Sequence, residues 1–249
     1  GGMSGWNKYL SDNLKYPTQA RRMGVEGTVI VVFVINTDGS IQDVEVLRGI
    51  GGGCDEEAVK IVKAAKTPSH IAFTNDSKLT FVTLQDSNEL IAIDLASHEI
   101  VWRMPIGKMP AGVWMTPGDK HLLIGLTGSD LVQVVDWKQQ KIVKEIKTGK
   151  GAHNFRPLGD KRHIFLTNRV DSTISIIDME KLEKVADIKG LPSGPDCMDV
   201  TADGKELWVT FRFAKKVGII DIASRKLVTT IPVGKSPHGI FFHSNAAWE

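Results

Sequence analysis

His163-Ile-Phe-Leu-Thr167, Ile174-Ser-Ile-Ile-Asp178 and Lys184-Val-Ala-Asp-Ile188 are three short β-rich runs separated by polar turns. The aspartate that closes the second run recurs. Leu90-Ile-Ala-Ile-Asp94, Leu131-Val-Gln-Val-Val-Asp136 and Val217-Gly-Ile-Ile-Asp221 end in the same way, and the four aspartates are spaced 42, 42 and 43 residues apart. Each is followed by a turn and a further run: Glu99-Ile-Val-Trp102, Lys141-Ile-Val-Lys-Glu-Ile146 and Lys226-Leu-Val-Thr-Thr-Ile231 in the other copies. Each is preceded by Leu79-Thr-Phe-Val-Thr83, His121-Leu-Leu-Ile-Gly125 or Glu206-Leu-Trp-Val-Thr210. A fourth, innermost run comes before these: His70-Ile-Ala-Phe73, Gly112-Val-Trp-Met115, His153-Asn-Phe-Arg156 and Asp196-Cys-Met-Asp199.

Four short strands per repeat of about 42 residues predict a propeller blade. The expected fold is therefore mainly β, with about four blades over residues 67–249. The four aspartates read as turn-formers, because an Asx side chain bonds backbone N–H groups two residues on. Phe165-Leu-Thr-Asn168 with Ile174-Ser-Ile-Ile-Asp178, and the link Ile231-Pro-Val-Gly-Lys-Ser-Pro-His-Gly239, resemble the YVTN-type bacterial propeller repeat. The resemblance covers about Thr67 to His243 and implies architecture rather than chemistry. Seven blades are usual in that family. Here a surplus inner strand is expected at Ser236–His243, which could complete the first blade and leave Pro68–Phe73 to pair elsewhere.

Residues 6–66 have a different grammar. Trp6–Leu14 reads as an amphipathic helix, and Tyr16-Pro17 starts a second turn ending at Gly24. The runs Thr28–Ile35 and Ile41–Leu47 flank Asn36-Thr-Asp-Gly39, a hairpin signal. The first run is apolar on both faces, so both faces are expected to be covered. A helix follows from about Asp55 to Ala65, with three acidic residues favourably placed at its start. Tyr9-Leu10, Asn13-Leu14-Lys-Tyr-Pro17, Gly27-Thr-Val-Ile-Val-Val-Phe33, Asp38-Gly39-Ser-Ile41 and Val46-Leu-Arg-Gly49 with Gly53-Cys-Asp-Glu-Glu-Ala-Val59 resemble the TonB C-terminal domain, a small α+β domain. That resemblance implies a periplasmic energy-transducing module that takes a peptide strand from an outer-membrane transporter. The family's third strand is missing before Lys66-Thr67-Pro68. Residues 67–74 are thus expected to repair the sheet, and the chain reads as a fusion or an artificial chimera of two incomplete domains.

Composition bounds the function. Lys and Arg number 31 against 29 Asp and Glu, a formal charge of +2, so the basic excess of a dedicated nucleic-acid binder is absent. Arg212-Phe213-Ala-Lys-Lys216 gives only a faint single-strand signal. The longest apolar run, Val29 to Ile35, is too short to span a membrane. Gly1-Gly2-Met3-Ser4-Gly5 resembles an expression-vector remnant, so a native signal or anchor is expected to be absent from this chain. Cys54 and Cys197 lack metal-ligand spacing and read as packed small residues. Trp102, Trp114, Trp137 and Trp208 read as inter-blade core.

His70, His153, Asp196 and His238 share one repeat phase, at the start of the inner strand, with Gly112 the exception. They are candidates for a ring at the channel mouth, and Arg156, Arg169 and Arg212 would make that mouth attract anions. The plainer reading is a polar motif that caps the link, with no metal or other cofactor. Nucleophile, P-loop and zinc-protease motifs are absent. The leading expectation is a non-enzymatic periplasmic binding and interaction protein. The alternative is a metal- or haem-dependent enzyme fragment working at the channel mouth. Expected partners are a protein or peptide strand, with oligomerisation through open propeller edges.

Overall fold

A computed structural model describes residues 14–35, 41–64, 67–97 and 99–244. The expected first helix (but for Leu14), the Asn36–Gly39 turn and Lys66 lie outside these. The chain forms two compact units, residues 1–68 and 69–249.

In the first unit, α1 (Thr18–Met23) starts after Pro17 and stops at Gly24, whose φ of 63° is the left-handed C-cap that glycine adopts without strain. Strands β1 (Ile30–Ile35) and β2 (Ile41–Arg48) form an antiparallel two-stranded sheet. Helix α2 (Cys54–Ala64) follows. Asp55 anchors its start by accepting the Ile50 N–H at 2.8 Å and the Gly51 N–H at 3.1 Å. Leu14, Tyr16, Val31, Phe33, Ile50 and Ala58 are among the residues lining a groove of about 530 Å³ in this unit. The expectation that both faces of β1 are covered fails: Ile30 and Val32 are 39% and 41% exposed. With only two strands among the described residues, the sheet has too little area to bury both faces.

The second unit is a series of four-stranded antiparallel blades. Blade one comprises β3 (Pro68–Phe73), β4 (Leu79–Leu84), β5 (Glu89–Asp94) and β6 (Ile100–Pro105). Blade two comprises β7 (Pro110–Met115), β8 (Leu122–Leu126), β9 (Leu131–Asp136) and β10 (Lys141–Lys147). Blade three comprises β11 (Ala152–Pro157), β12 (His163–Asn168), β13 (Thr173–Asp178) and β14 (Glu183–Ile188). Blade four comprises β15 (Pro195–Val200), β16 (Glu206–Phe211), β17 (Lys216–Asp221) and β18 (Lys226–Pro232).

Two expectations are corrected. Pro68–Phe73 does not repair the β1–β2 sheet; it is the inner strand of blade one, where β4 satisfies its backbone. Ser236–His243 is not a strand and does not complete blade one. It runs as irregular chain against blade four, where the Phe242 N–H donates to Asp199 Oδ2 at 2.6 Å and the Phe242 ring meets Trp208 edge-on at 5.5 Å.

The core lies between blades. Period-two alternation puts half of each strand on either face. Phe81, Leu90 and Ala92 of blade one pack with Val113, Leu122 and Ile124 of blade two. Leu123, Val132 and Val134 of blade two pack with Ile164, Leu166 and Ile177 of blade three. Phe165, Ile174 and Ile176 of blade three pack with Leu207, Val209 and Phe211 of blade four. Trp102 and Trp137 both flank Phe81, at 5.7 and 5.3 Å between ring centroids.

A hydroxyl tie accompanies each packed pair. Thr83 Oγ1 donates to the Ala111 carbonyl at 2.6 Å, Thr127 to Ala152 at 2.9 Å and Thr167 to Asp196 at 3.0 Å. Each donor belongs to one blade and each acceptor to the inner strand of the next. In blade two Gly125 occupies the phase of Thr83 and Thr167, and Thr127 makes the tie instead. The strand-closing aspartates hold the outer turns. Asp94 accepts the Ala96 and Ser97 N–H groups, Asp136 those of Lys138 and Gln139, Asp178 those of Glu180 and Lys181, and Asp221 that of Ser224.

Candidate functional site

His70, Gly112, His153 and Asp196 sit at one repeat phase near the start of their inner strands. Gly112 carries no side chain there for a steric reason. A Cβ on it would lie 2.3 Å from the His153 carbonyl oxygen, closer than any side chain can sit. The remaining members converge on Asp196, which is fully buried. Its Oδ1 accepts from Arg169 Nε at 3.0 Å and Nη2 at 2.5 Å, a charge-assisted fork on one oxygen. Arg212 Nη1 stands 3.7 Å from Oδ2, and His238 Nε2 stands 3.9 Å from it. Oδ2 accepts no hydrogen bond. Arg212 is itself steered by its Nε donating to Ser236 Oγ at 2.8 Å.

His153 Nδ1 lies 3.2 Å from Asp196 Oδ1 without making a hydrogen bond. Burial, reinforced by the Arg169 charge, holds the His153 imidazole well below the ordinary histidine range. It is therefore neutral at physiological pH, and its approach to Asp196 is not an ion pair. His70 meets the His153 ring edge-on at 5.2 Å. Burial, again with Arg169 next in weight, lowers the His70 pKa to about 4. Two guanidinium groups thus face one carboxylate beside two neutral imidazoles, which leaves these five groups with an excess positive charge.

Cys197, next along β15, is a free thiol with Sγ accepting from Asn154 Nδ2 at 3.3 Å and lying 3.8 Å from His238 Nε2. Burial, then the Asp196 charge, pushes its pKa up. His238 is 55% exposed at the side chain, so the cluster has a face open to solvent. Arg156 lies apart from this group. It pairs with Asp199 in a buried ion pair farther along β11 and β15, and Asp199 Oδ2 also receives the Phe242 N–H.

A family model for the YNCE-like β-propeller matches residues 30–247. The chain belongs to this family. The curated protein NirF of Stutzerimonas stutzeri is 27% identical over 146 residues, which are 58% of this chain and 37% of NirF. Among solved structures, hydrazine synthase of Kuenenia stuttgartiensis matches with a TM-score of 0.61 and 25% identity, covering 66% of this chain and 49% of that one. Dihydro-haem d1 dehydrogenase NirN, solved in complex with DHE, matches with a TM-score of 0.57 at 20% identity, covering 70% of this chain and 39% of its own. This YNCE-like chain therefore spans about half or less of these relatives. Among its described residues, no helix is long and apolar enough to cross a membrane.

In this YNCE-like propeller, repeat phase locates His70, His153, Asp196 and His238, and the funnel reading adds Arg169 and Arg212. It does not locate Cys197 or Ser236. Cys197 carries no such signal, because period-two alternation assigns it to the strand face opposite Asp196. Ser236 reads in the sequence as the start of a surplus strand, which does not set it beside Arg212.

Proposed function

We propose that the chain is a non-enzymatic binding protein of the periplasm whose propeller takes an anionic ligand at the mouth built around Asp196. The observation that supports this is the pairing of Arg169 and Arg212 with a single carboxylate, which leaves guanidinium capacity for a second one. Tetrapyrroles with carboxylate arms are the ligand class we infer, in keeping with the DHE bound to NirN. Arg169 and Arg212 would hold the carboxylates, and the apolar ring would lie on the inner-strand ends. Fluorescence quenching by a dicarboxylate porphyrin is the test. Each Arg→Gln change at Arg169 or Arg212 should weaken binding about 10- to 100-fold, the effect of losing a charge-assisted hydrogen bond of about 1.5–3 kcal/mol. Folded protein whose tryptophan fluorescence the porphyrin leaves unquenched would rule the reading out.

On the same reading, residues 14–64 act as a TonB-like interaction fragment joined to the propeller by fusion or recombination. Their two-stranded sheet supports this, because its edges can accept a transporter-derived peptide strand. A pull-down with such a peptide tests it, and folded protein that captures none removes the coupling role. An enzymatic second reading, with metal or haem chemistry at the mouth, is favoured by Asp196, Cys197 and His238 standing together.

A further inference from the structure

Asp196 Oδ2, Cys197 Sγ and His238 Nε2 all lie within 4.8 Å of one another. The sulfur-to-nitrogen separation is 3.8 Å and the nitrogen-to-oxygen separation 3.9 Å. Metal–ligand lengths of about 2.0–2.3 Å put the edges of a tetrahedral zinc site at about 3.3–3.6 Å. The two edges that meet at His238 are thus within about half an ångström of coordinating distance, and the third is no longer than 4.8 Å. His238 sits on irregular chain, more than half exposed, and can close that gap without disturbing a strand.

A second observation points the same way. Asp196 is fully buried, yet Oδ2, the oxygen that faces His238, accepts no hydrogen bond. Arg212 stands 3.7 Å away, beyond hydrogen-bond reach, so this buried oxygen still lacks a directly bound donor or cation. Arg169 occupies Oδ1 and so leaves Oδ2 as a monodentate donor. Asn154 donates to Cys197 Sγ at 3.3 Å and so fixes the position of the sulfur beside Asp196.

We propose that Asp196, Cys197 and His238 form a three-ligand site for a zinc-type divalent cation, with the fourth position open to water or an exogenous ligand. Cysteine, histidine and carboxylate donors together select a borderline-soft ion over calcium or magnesium. Arg212, 3.7 Å from Oδ2, weakens the site electrostatically and favours an anion in the open position. The site does not depend on the tetrapyrrole reading.

Cobalt(II) titration of the full chain tests it, with zinc as competitor. One equivalent should give a thiolate-to-cobalt charge-transfer band and the intense visible bands of tetrahedral cobalt, both erased by zinc. His238→Ala removes an exposed ligand without touching the core. It should weaken binding by more than the roughly 10–100-fold that loss of an outer-shell partner costs. Cys197→Ser should abolish the charge-transfer band in protein that circular dichroism shows to be folded. Absence of the band in wild-type protein, or an unchanged affinity in His238→Ala, overturns the proposal. Porphyrin quenching, measured separately, is lost if the carboxylate reading fails and is indifferent to the cobalt result.

Discussion

Asp199 and Arg156 form the most secluded ion pair among the described residues, with side-chain exposures of 1% and 7%. Removing one partner of such a pair leaves a desolvated charge behind, at a cost of about 3–5 kcal/mol. Asp199→Ala should lower the urea midpoint accordingly, and it also removes an oxygen that accepts from the Phe242 N–H. A loss below about 1 kcal/mol would show that solvent reaches Arg156. His70 gives a pH dependence with a definite sign. Its folded-state pKa is about 4, below the ordinary 6.5, so between those values the unfolded chain binds a proton that the folded chain refuses. Stability from this group is fully present above about 6.5 and falls as the pH drops toward 4, by on the order of 3 kcal/mol at most. His70→Gln should flatten the denaturation-midpoint profile in that window, and a parallel profile would refute the assignment. The repeat phase made His70 legible as a central residue. It could not separate Arg156 from the mouth, because the partner Asp199 becomes visible only when β11 and β15 are placed side by side.

Inner strands are where close packing is strictest. Gly112→Ala would press a methyl group onto the His153 carbonyl, so β7 or β11 must move, at about 1–3 kcal/mol. Thermal unfolding of the variant checks this, and an unchanged midpoint would mean the strands slide apart freely. Thr167→Val keeps the shape but leaves the Asp196 carbonyl without its inter-blade donor, a loss of about 1–3 kcal/mol. Wild-type stability in that variant would demote the threonine ties to incidental contacts. Strands and turns could be read directly because Asp94, Asp136, Asp178 and Asp221 mark one outer turn per repeat. The threonine ties were hidden because Thr83 and Thr167 look like ordinary β-branched residues, and blade two makes its tie from a different position. The Ser236–His243 run has inner-strand composition, yet it forms no ladder with β15, the strand its Phe242 bonds to. Composition proposes a strand, and pairing decides it.

Across the propeller unit, each large core cluster is shared by two consecutive blades, one and two, two and three, three and four. Stability in such an array is close to a sum of nearest-neighbour terms. Native-state hydrogen exchange should therefore be slowest in the inner strands of blades two and three, β7, β8, β11 and β12, packed on both sides, and fastest in the exposed outer strands β6 and β18. Uniform protection would instead indicate a single cooperative block. Blade number was legible from the repeat. Pro68–Phe73 was legible as an inner strand but misassigned, because sequence does not say which sheet will claim a strand. The threonine ties also give the array a direction. Thr83, Thr127 and Thr167 each precede their acceptor along the chain, by 28, 25 and 29 residues. During synthesis from the N-terminus, each inner strand after the first thus emerges to find its hydroxyl donor already made. The finished blades can thus offer each new inner strand a bonding partner in chain order.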